Sequence, residues 1–163
     1  MSSFKNKKIN ILYLDDEPSN LEVFKALLRK DYSVYVTSSP DEAKEFLLTK
    51  DIHVVFSDQR MPKVTGVEFF ESMLKEHPKP IRILTTGYSD LSCVIDAINK
   101  GQVYKYVEKP WNIDFLKTTI MQAYEVYVLR ESNENLISDL QVFNDKLVKV
   151  NSQLEFMLQQ KNL

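Results

Sequence analysis

The chain has 163 residues, 44% of them hydrophobic and 27% charged, with a formal net charge of −2. This size and composition suit one folded domain with an appendage. The slightly acidic balance and the lack of a long basic run argue against a nucleic-acid-binding surface. The single cysteine, Cys93, excludes an internal disulfide and a thiolate zinc cluster, and two isolated histidines disfavour an imidazole-based active site.

The first eight residues carry lysines with no apolar segment behind them, and no stretch of the sequence has 18 successive apolar residues. We therefore expect a cytoplasmic protein that does not enter a membrane. The predicted organisation is an N-terminal tail over residues 1–8, a domain over residues 9–125 and a helical segment over residues 126–163.

Short apolar runs with strand character alternate with segments whose apolar residues recur at helical spacing. The predicted strands cover residues 9–14, 33–37, 52–58, 81–86 and 103–107. This (βα)₅ order predicts an α/β fold with a doubly wound parallel sheet, right-handed crossovers and helices on both faces.

Several residues predict where the helices begin or end. Ser19 or Asn20 is a candidate cap for the first helix, Ser39 for the second and Asn112 for the last. The segment 87–90 leads to the fourth helix, which is predicted to end near Gly101.

Polar side chains follow four of the predicted strands at their carboxyl ends. They are Asp15, Asp16, Asp58, Thr86 and Lys109. Because ligands of open α/β sheets bind beyond the carboxyl ends of the strands, these groups are expected to meet at one site. Three neighbouring carboxylates either take up protons or hold a cation, and an all-oxygen donor set favours Mg²⁺.

A lysine and a hydroxyl facing a magnesium site provide the donors that a phosphoryl group needs. Asp58 would then act as the nucleophile and form an aspartyl phosphate. Each residue alone has an ordinary explanation, as a solvated acidic loop, a strand-end cap or a turn. Their occurrence at successive strand ends of one (βα)₅ chain favours the functional interpretation.

This set of residues resembles the receiver domain of two-component response regulators over about residues 7–125. The motifs that carry the resemblance are Asp15-Asp16, Asp58 with Met61-Pro62 and Gly66, Thr86-Gly87, Tyr106 and Lys109-Pro110. The resemblance implies a flavodoxin-like strand order 2-1-3-4-5. It also implies that Asp58 accepts a phosphoryl group from a histidine kinase or a phosphotransfer protein, as a self-phosphorylating and self-dephosphorylating switch rather than a turnover enzyme.

The resemblance also implies roles for the metal-site residues. Asp16 and Asp58 would ligate Mg²⁺ directly, together with the backbone carbonyl of Arg60. Asp15 would act mainly through water.

The same resemblance implies a switch. Lys109 would pair with the phosphoryl oxygens, and Thr86 would move to donate a hydrogen bond to one of them. Tyr106 would turn inward into the space that Thr86 leaves. The signal would pass through the face formed by the fourth helix, the fifth strand and the fifth helix.

The local sequences Asp58-Gln-Arg-Met-Pro62, Thr86-Gly-Tyr-Ser-Asp90 and Lys109-Pro-Trp111 are similar to a subset of receivers often joined to signalling enzymes rather than to DNA-binding domains. Trp111 stands where many receivers have Phe. Arg60 and Tyr88 also differ from the common residues, and these departures are expected to affect the lifetime of the phosphoryl group.

The C-terminal segment predicts a coiled coil, since residues 111–163 contain neither glycine nor proline. Nine of ten heptad positions are apolar, and a lone asparagine at a core position favours a parallel homodimer of fixed register. Ile137 and Leu158 widen the stripe and leave a four-helix assembly open, as does packing on an output domain. The heptad positions, which we call the seam, are Val126, Leu129, Asn133, Leu136, Leu140, Phe143, Leu147, Val150, Leu154 and Met157.

Two alternative functions remain open from the sequence. One is a phosphorylation-independent scaffold. The other is the regulatory fragment of a larger signalling enzyme, such as a cyclic-dinucleotide phosphodiesterase, a phosphatase or a kinase.

Overall fold

The computed structural model describes residues 7–87, 91–100 and 102–162. The chain divides into two compact units, Met1–Tyr127 and Val128–Leu163. The first unit contains a five-stranded sheet with its helices, and the second consists of the later part of the last helix.

Strands and helices alternate along the first unit. The strands are β1 (Asn10–Leu14), β2 (Ser33–Thr37), β3 (Val54–Asp58), β4 (Ile81–Thr86) and β5 (Lys105–Glu108). The helices are α1 (Pro18–Leu28), α2 (Pro40–Thr49), α3 (Gly66–Leu74), α4 (Leu91–Asn99) and α5 (Ile113–Lys161).

All strand pairs are parallel, and the sheet order is β2-β1-β3-β4-β5. The predicted fold class and strand order are thereby confirmed. From β1, the next strand in the chain (β2) is added on one side of the sheet, and the later strands are added on the other side. The order of strand addition therefore reverses at β1, which pairs with both β2 and β3. A ligand site is expected beside this reversal, beyond the carboxyl ends of β1 and β3.

Alternate residues of the strands feed two separate hydrophobic layers, as the two-residue period of a strand requires. One layer joins one face of the sheet to α1 and α5, and includes Ile11, Tyr13, Phe56, Phe24 and Leu116. The other joins the opposite face to α2, α3 and α4, and includes Leu12, Val55, Ala43, Phe70 and Val94. Every residue of β3 is buried, so this strand lies at the centre of the core.

Helix caps agree with the sequence at α2 and α5 but not at α1. The hydroxyl of Ser39 accepts from the Glu42 N–H, and Asn112 Oδ1 accepts from the first-turn N–H groups of α5. The predicted cap at Ser19 or Asn20 was wrong, because Pro18 begins α1 and Glu17 takes the cap position without a side-chain hydrogen bond. A proline favours the first helical position because its φ is already fixed near the helical value.

Three strands begin later than predicted, and β1 does so by a single residue, at Asn10 rather than at residue 9. β3 begins at Val54 rather than at residue 52, and β5 begins at Lys105 rather than at residue 103. Val103 is buried nevertheless, so its hydrophobicity reflects packing against the core rather than a place in the ladder. The segment 88–90 and Gly101, which the sequence assigns to the approach and end of the fourth helix, lie outside the described residues.

The last helix runs without interruption from Ile113 to Lys161, as the lack of glycine and proline predicts. In the second unit, the apolar side chains of the seam are exposed within the single chain. Among the residues that the structure describes, no helix combines the length and the apolar character needed to cross a membrane.

Candidate functional site

The structure brings the predicted polar residues together at the carboxyl edge of the sheet. Asp15 and Asp16 follow β1, Asp58 is the last residue of β3, and Thr86 is the last residue of β4. Lys109 follows β5, and its backbone N–H donates to the Thr86 carbonyl at 3.0 Å. The ends of four adjacent parallel strands thus supply the whole set.

The three aspartates form a compact acidic cluster. Each of Asp15, Asp16 and Asp58 offers a carboxylate oxygen, and these oxygens all lie within 4.8 Å of one another. Asp15 is fully buried, Asp58 is buried and Asp16 is half-buried. Like charges this close favour a bound cation, and a set of oxygen donors suits Mg²⁺. Arg60, whose carbonyl is the predicted further ligand, is an exposed residue two positions after Asp58.

Lys109 bridges two members of the cluster. Its Nζ lies 3.0 Å from Asp58 Oδ1 and 3.1 Å from Asp15 Oδ2. Burial favours the neutral amine, but the hydrogen bonds and charges of Asp58 and Asp15 outweigh burial and raise the pKa of Lys109. The amine therefore stays protonated beside the proposed acceptor oxygen.

Asp15 receives more hydrogen bonds than the sequence suggests. The Tyr13 hydroxyl and the Asn20 side chain both donate to Oδ2, the latter at 3.0 Å, and the Glu17 N–H donates to Oδ1 at 3.0 Å. Burial raises the pKa of Asp15, but the Tyr13 hydroxyl, the Glu17 N–H and Lys109 together lower it below the usual value. Since its lone pairs are already engaged, Asp15 is better suited to bind a cation through water than directly.

Asp58 has the opposite electrostatic balance. Burial raises its pKa to about 6; Lys109 opposes that shift, while the charges of Asp15 and Asp16 add to it. The proton and a cation therefore compete for the Asp58 carboxylate near neutral pH.

Thr86 offers a hydroxyl that is buried and unsatisfied. The residue is 1% exposed, and its Oγ1 has no hydrogen-bond partner among the described residues. An unpaired buried hydroxyl costs about 1–3 kcal/mol, so its retention suits a group that pairs with an incoming ligand oxygen.

Tyr106 lies within β5 opposite Leu84 of β4 and is half-buried against the α2, α3 and α4 layer. This places it two residue pairs from the Thr86 end of the β4–β5 ladder. Its inward rotation stays a prediction.

Gln59, which the sequence did not single out, fixes the backbone immediately after Asp58. Its carbonyl accepts from the Gly66 N–H at 3.2 Å, its Oε1 accepts from the Val67 N–H at 3.1 Å, and its Nε2 donates to Cys93 Sγ at 3.5 Å. The residue is only 6% exposed, and the sequence signal for it was limited to its position directly after the buried strand.

Gly66 begins α3 in direct contact with the end of β3. A Cβ at this position would lie 2.6 Å from the Asp58 carbonyl oxygen and 2.6 Å from Leu84 Cδ2. Only a residue without a side chain allows α3 to approach the acidic cluster this closely.

Comparison with known proteins identifies the family. A sequence profile of the response regulator receiver domain matches residues 11–121. The chain belongs to the response regulator receiver family. It is therefore a receiver domain of the two-component systems, a class whose members generally act as switches rather than as enzymes.

Three known proteins are similar to this receiver in sequence or in structure. The hydrogenase transcriptional regulatory protein HoxA of Cupriavidus necator is 34% identical over 148 residues, which is 91% of this chain and 31% of HoxA. The adenylate cyclase structure from Rhodopirellula baltica has a TM-score of 0.76 at 30% identity, covering 81% of this chain and 98% of that one. A receiver domain protein from Clostridium thermocellum has a TM-score of 0.69 at 32% identity, covering 74% and 98%.

The receiver spans about a third of the length of the curated relatives it matches, since it covers 31% of HoxA from Cupriavidus necator and 29% of HoxA from Bradyrhizobium diazoefficiens. The activities and partners of those longer proteins therefore enter only as proposals.

Proposed function

We propose that Asp58 accepts a phosphoryl group from a histidine kinase or a phosphotransfer protein in a Mg²⁺-dependent reaction. The observation that carries the proposal is the position of Lys109 Nζ, 3.0 Å from Asp58 Oδ1 inside a cluster of three carboxylates. The buried, unpaired hydroxyl of Thr86 at the same edge of the sheet supports it further.

Asp16, Asp58 and the Arg60 carbonyl would hold the ion directly, and Asp15 would hold it through water. When bound, Mg²⁺ neutralises the charge that develops on the phosphoryl oxygens. The surplus of negative charge in the cluster supports this assignment, because Lys109 offsets only one of its carboxylates.

The transfer itself needs few groups from the protein. A carboxylate oxygen of Asp58 forms the bond to phosphorus while the bond between phosphorus and the donor nitrogen breaks. Lys109 then exchanges its contact with Asp58 for one with a phosphoryl oxygen. In the slow dephosphorylation step, water attacks phosphorus while the bond between phosphorus and the Asp58 oxygen breaks, which releases inorganic phosphate and restores the carboxylate.

The phosphoryl group would act as a switch through Thr86 and Tyr106. Phosphorylation adds about −1.5 to −2 charges, and each hydrogen bond to a charged group contributes about 1.5–3 kcal/mol. The new contact from Thr86 and the exchange of the Lys109 contact from Asp58 to the phosphoryl group both contribute toward the roughly 5.5 kcal/mol that inverts a 1:99 equilibrium. We expect a strong bias toward the active form, carried to the face of α4, β5 and α5.

The second unit would join two copies of the chain as a parallel coiled coil. Its eight apolar seam residues from Leu129 to Met157 are 44% to 63% exposed in the single chain. A continuous apolar stripe of this length is expected to be covered by a partner, and paired Asn133 side chains would fix the register of a parallel dimer.

The phosphoacceptor proposal is tested by intact-mass measurement after incubation with Mg²⁺ and a small acyl phosphate. The wild-type chain is expected to gain one phosphoryl group, and the Asp58→Asn variant is expected to gain none. An equal gain in both proteins would move the acceptor to another residue. No gain in the folded wild type would favour the phosphorylation-independent scaffold.

A second candidate is that this receiver regulates an output domain attached to it. The lengths of the HoxA relatives support it, because the receiver spans about a third of them. Their names favour a transcriptional output, and the name of the Rhodopirellula baltica adenylate cyclase favours an enzymatic one. The complete reading frame that encodes this chain distinguishes the two outputs.

A further inference from the structure

The hydroxyl of Tyr13 contacts the acidic cluster from within the buried strand β1. The side chain is fully buried, and the alternation along β1 puts it on the same face as Asp15, two residues later. Its hydroxyl donates to Asp15 Oδ2. The ring packs against Phe24 with a centroid distance of 4.3 Å and meets Trp111 edge to face at 5.6 Å. Packing therefore fixes the direction in which the hydroxyl points.

One carboxylate oxygen collects three donors of different charge. Asp15 Oδ2 accepts from the neutral Tyr13 hydroxyl, from the neutral Asn20 amide at 3.0 Å and from the cationic Lys109 amine at 3.1 Å. The neutral donors satisfy part of the hydrogen-bonding capacity of Asp15 without adding positive charge to the site.

This arrangement affects where the Lys109 amine rests. The amine lies almost equally far from Asp15 and Asp58, at 3.1 Å and 3.0 Å. If Asp15 attracted it more strongly, the amine would shift away from Asp58, next to which the phosphoryl oxygens must bind. The Tyr13 hydroxyl weakens that attraction because it already donates to the same oxygen.

We propose that Tyr13 is a positioning residue for phosphoryl transfer, which holds Asp15 in place and keeps Lys109 available to Asp58. The inference rests on the function proposed above. Without the Tyr13 hydroxyl, Asp15 Oδ2 loses a hydrogen-bond donor and attracts cations more strongly. The affinity for Mg²⁺ should therefore rise, while the rate of phosphoryl transfer should fall.

The test is Tyr13→Phe, which keeps the buried ring and removes only the hydroxyl. Calorimetric titration with Mg²⁺ alone is expected to give a Kd about 3-fold lower than in the wild type. The phosphorylation rate at saturating Mg²⁺, followed by intact mass with a small acyl phosphate, is expected to fall about 10-fold. The matched control is Tyr32→Phe, which removes the hydroxyl of another buried tyrosine of the same hydrophobic layer. It should leave both quantities within about a factor of two.

Two results would overturn the inference. One is a Mg²⁺ affinity and a rate that both stay within about a factor of two of the wild type in Tyr13→Phe. The other is a parallel loss of both, which indicates damage to the fold rather than a shifted charge balance. If the wild type itself takes up no phosphoryl group, the proposed function fails, and the Mg²⁺ titration still decides whether the Tyr13 hydroxyl acts on Asp15.

Discussion

Charge within the acidic cluster is the dominant feature at the scale of single residues. Lys109 offsets part of the negative charge of three carboxylates, and Asp58 is less favourably ionised than Asp15, with a pKa raised to about 6 mainly by burial. The folded protein therefore binds a proton at Asp58 more tightly than the unfolded chain does. Burial and the neighbouring carboxylates therefore destabilise the ionised form of Asp58, and a bound cation would stabilise it.

We expect Asp58→Asn to stabilise the protein without Mg²⁺ at pH 7.5. Because the folded pKa lies above the unfolded value of 3.8, the contribution of Asp58 to stability is fully present below pH 3.8 and is lost as the pH rises through about 6. Raising the pKa from 3.8 to about 6 corresponds to at most about 3 kcal/mol. Thermal unfolding in EDTA should show a higher Tm for the variant at pH 7.5 and a smaller difference at pH 5. A lower Tm for the variant at pH 7.5 would refute this charge balance.

Thr86→Val is expected to leave the stability of the unphosphorylated protein unchanged or slightly higher. The substitution removes a buried hydroxyl that has no partner in the described structure, so no hydrogen bond is lost. The control is Thr119→Val, because the buried Thr119 hydroxyl donates to the Phe115 carbonyl at 2.9 Å. Urea unfolding should show a loss of about 1 kcal/mol for the control alone. A comparable loss in Thr86→Val would show that its hydroxyl is already satisfied without a phosphoryl group.

At the scale of elements, the junction between β3 and α3 determines the geometry around the acceptor. Gly66 lets the first turn of α3 contact the Asp58 backbone, and Gln59 ties that turn to the end of β3 through two hydrogen bonds. The start of α3 and Asp58, the proposed acceptor, are thus tied together by hydrogen bonds and close contact.

Gly66→Ala should destabilise the domain by about 1–3 kcal/mol, because the new Cβ would overlap the Asp58 carbonyl and Leu84. It should also slow phosphorylation, since the backbone of Asp58 must shift to make room. Gly87→Ala is the matched control, because a Cβ there meets nothing within 4 Å. Urea unfolding and intact-mass kinetics measure both effects. Equal behaviour of the two variants would contradict the close approach of α3.

At the scale of the whole molecule, the chain forms two units, and the helix α5 runs through the boundary between them. The first unit holds the sheet and the acidic site, and the second unit presents an apolar seam along α5. In the proposed dimer, the seam fixes which residues of the two copies face each other. A buried asparagine is the feature that specifies register at some expense in stability.

Asn133→Leu is expected to raise the thermal stability of the assembly and to broaden its oligomeric state beyond the dimer. Paired asparagines satisfy each other only in a parallel dimer in register, so their removal also permits other arrangements. Sedimentation analysis and thermal unfolding measure the two changes. The control Asn135→Leu lies outside the seam and should change neither. A wild-type chain that stays monomeric at high micromolar concentration would overturn the coiled-coil proposal.

Periodicity and strand-end chemistry were sufficient to predict a parallel (βα)₅ sheet and the meeting of Asp15, Asp58, Thr86 and Lys109, whereas the strand order came from the resemblance to receiver domains. The first two features follow from local patterns and from the geometry of parallel sheets. The hydroxyl of Tyr13 was missed because a tyrosine within an apolar strand has the same periodicity whether or not its hydroxyl finds a partner.

Asn20 shows a second limit of sequence reasoning. Its side chain suits a helix cap by type, but α1 already begins at Pro18, so Asn20 lies within the first turn, where it donates to Asp15. Gln59 was missed for the same reason, since its partners on α3 and α4 are set by packing between elements. Local sequence patterns therefore do not predict which side chains from different elements contact each other.

The central claim is that Asp58 carries the phosphoryl group, and the most direct test is chemical trapping at that residue. The protein is phosphorylated with Mg²⁺ and a small acyl phosphate, reduced with borohydride, digested and sequenced by mass spectrometry. Borohydride converts an aspartyl phosphate to homoserine, so the account predicts homoserine at position 58 only when Mg²⁺ and the phosphodonor are both present. Homoserine at another aspartate, or none in a protein whose intact mass shows the phosphoryl gain, would contradict the account.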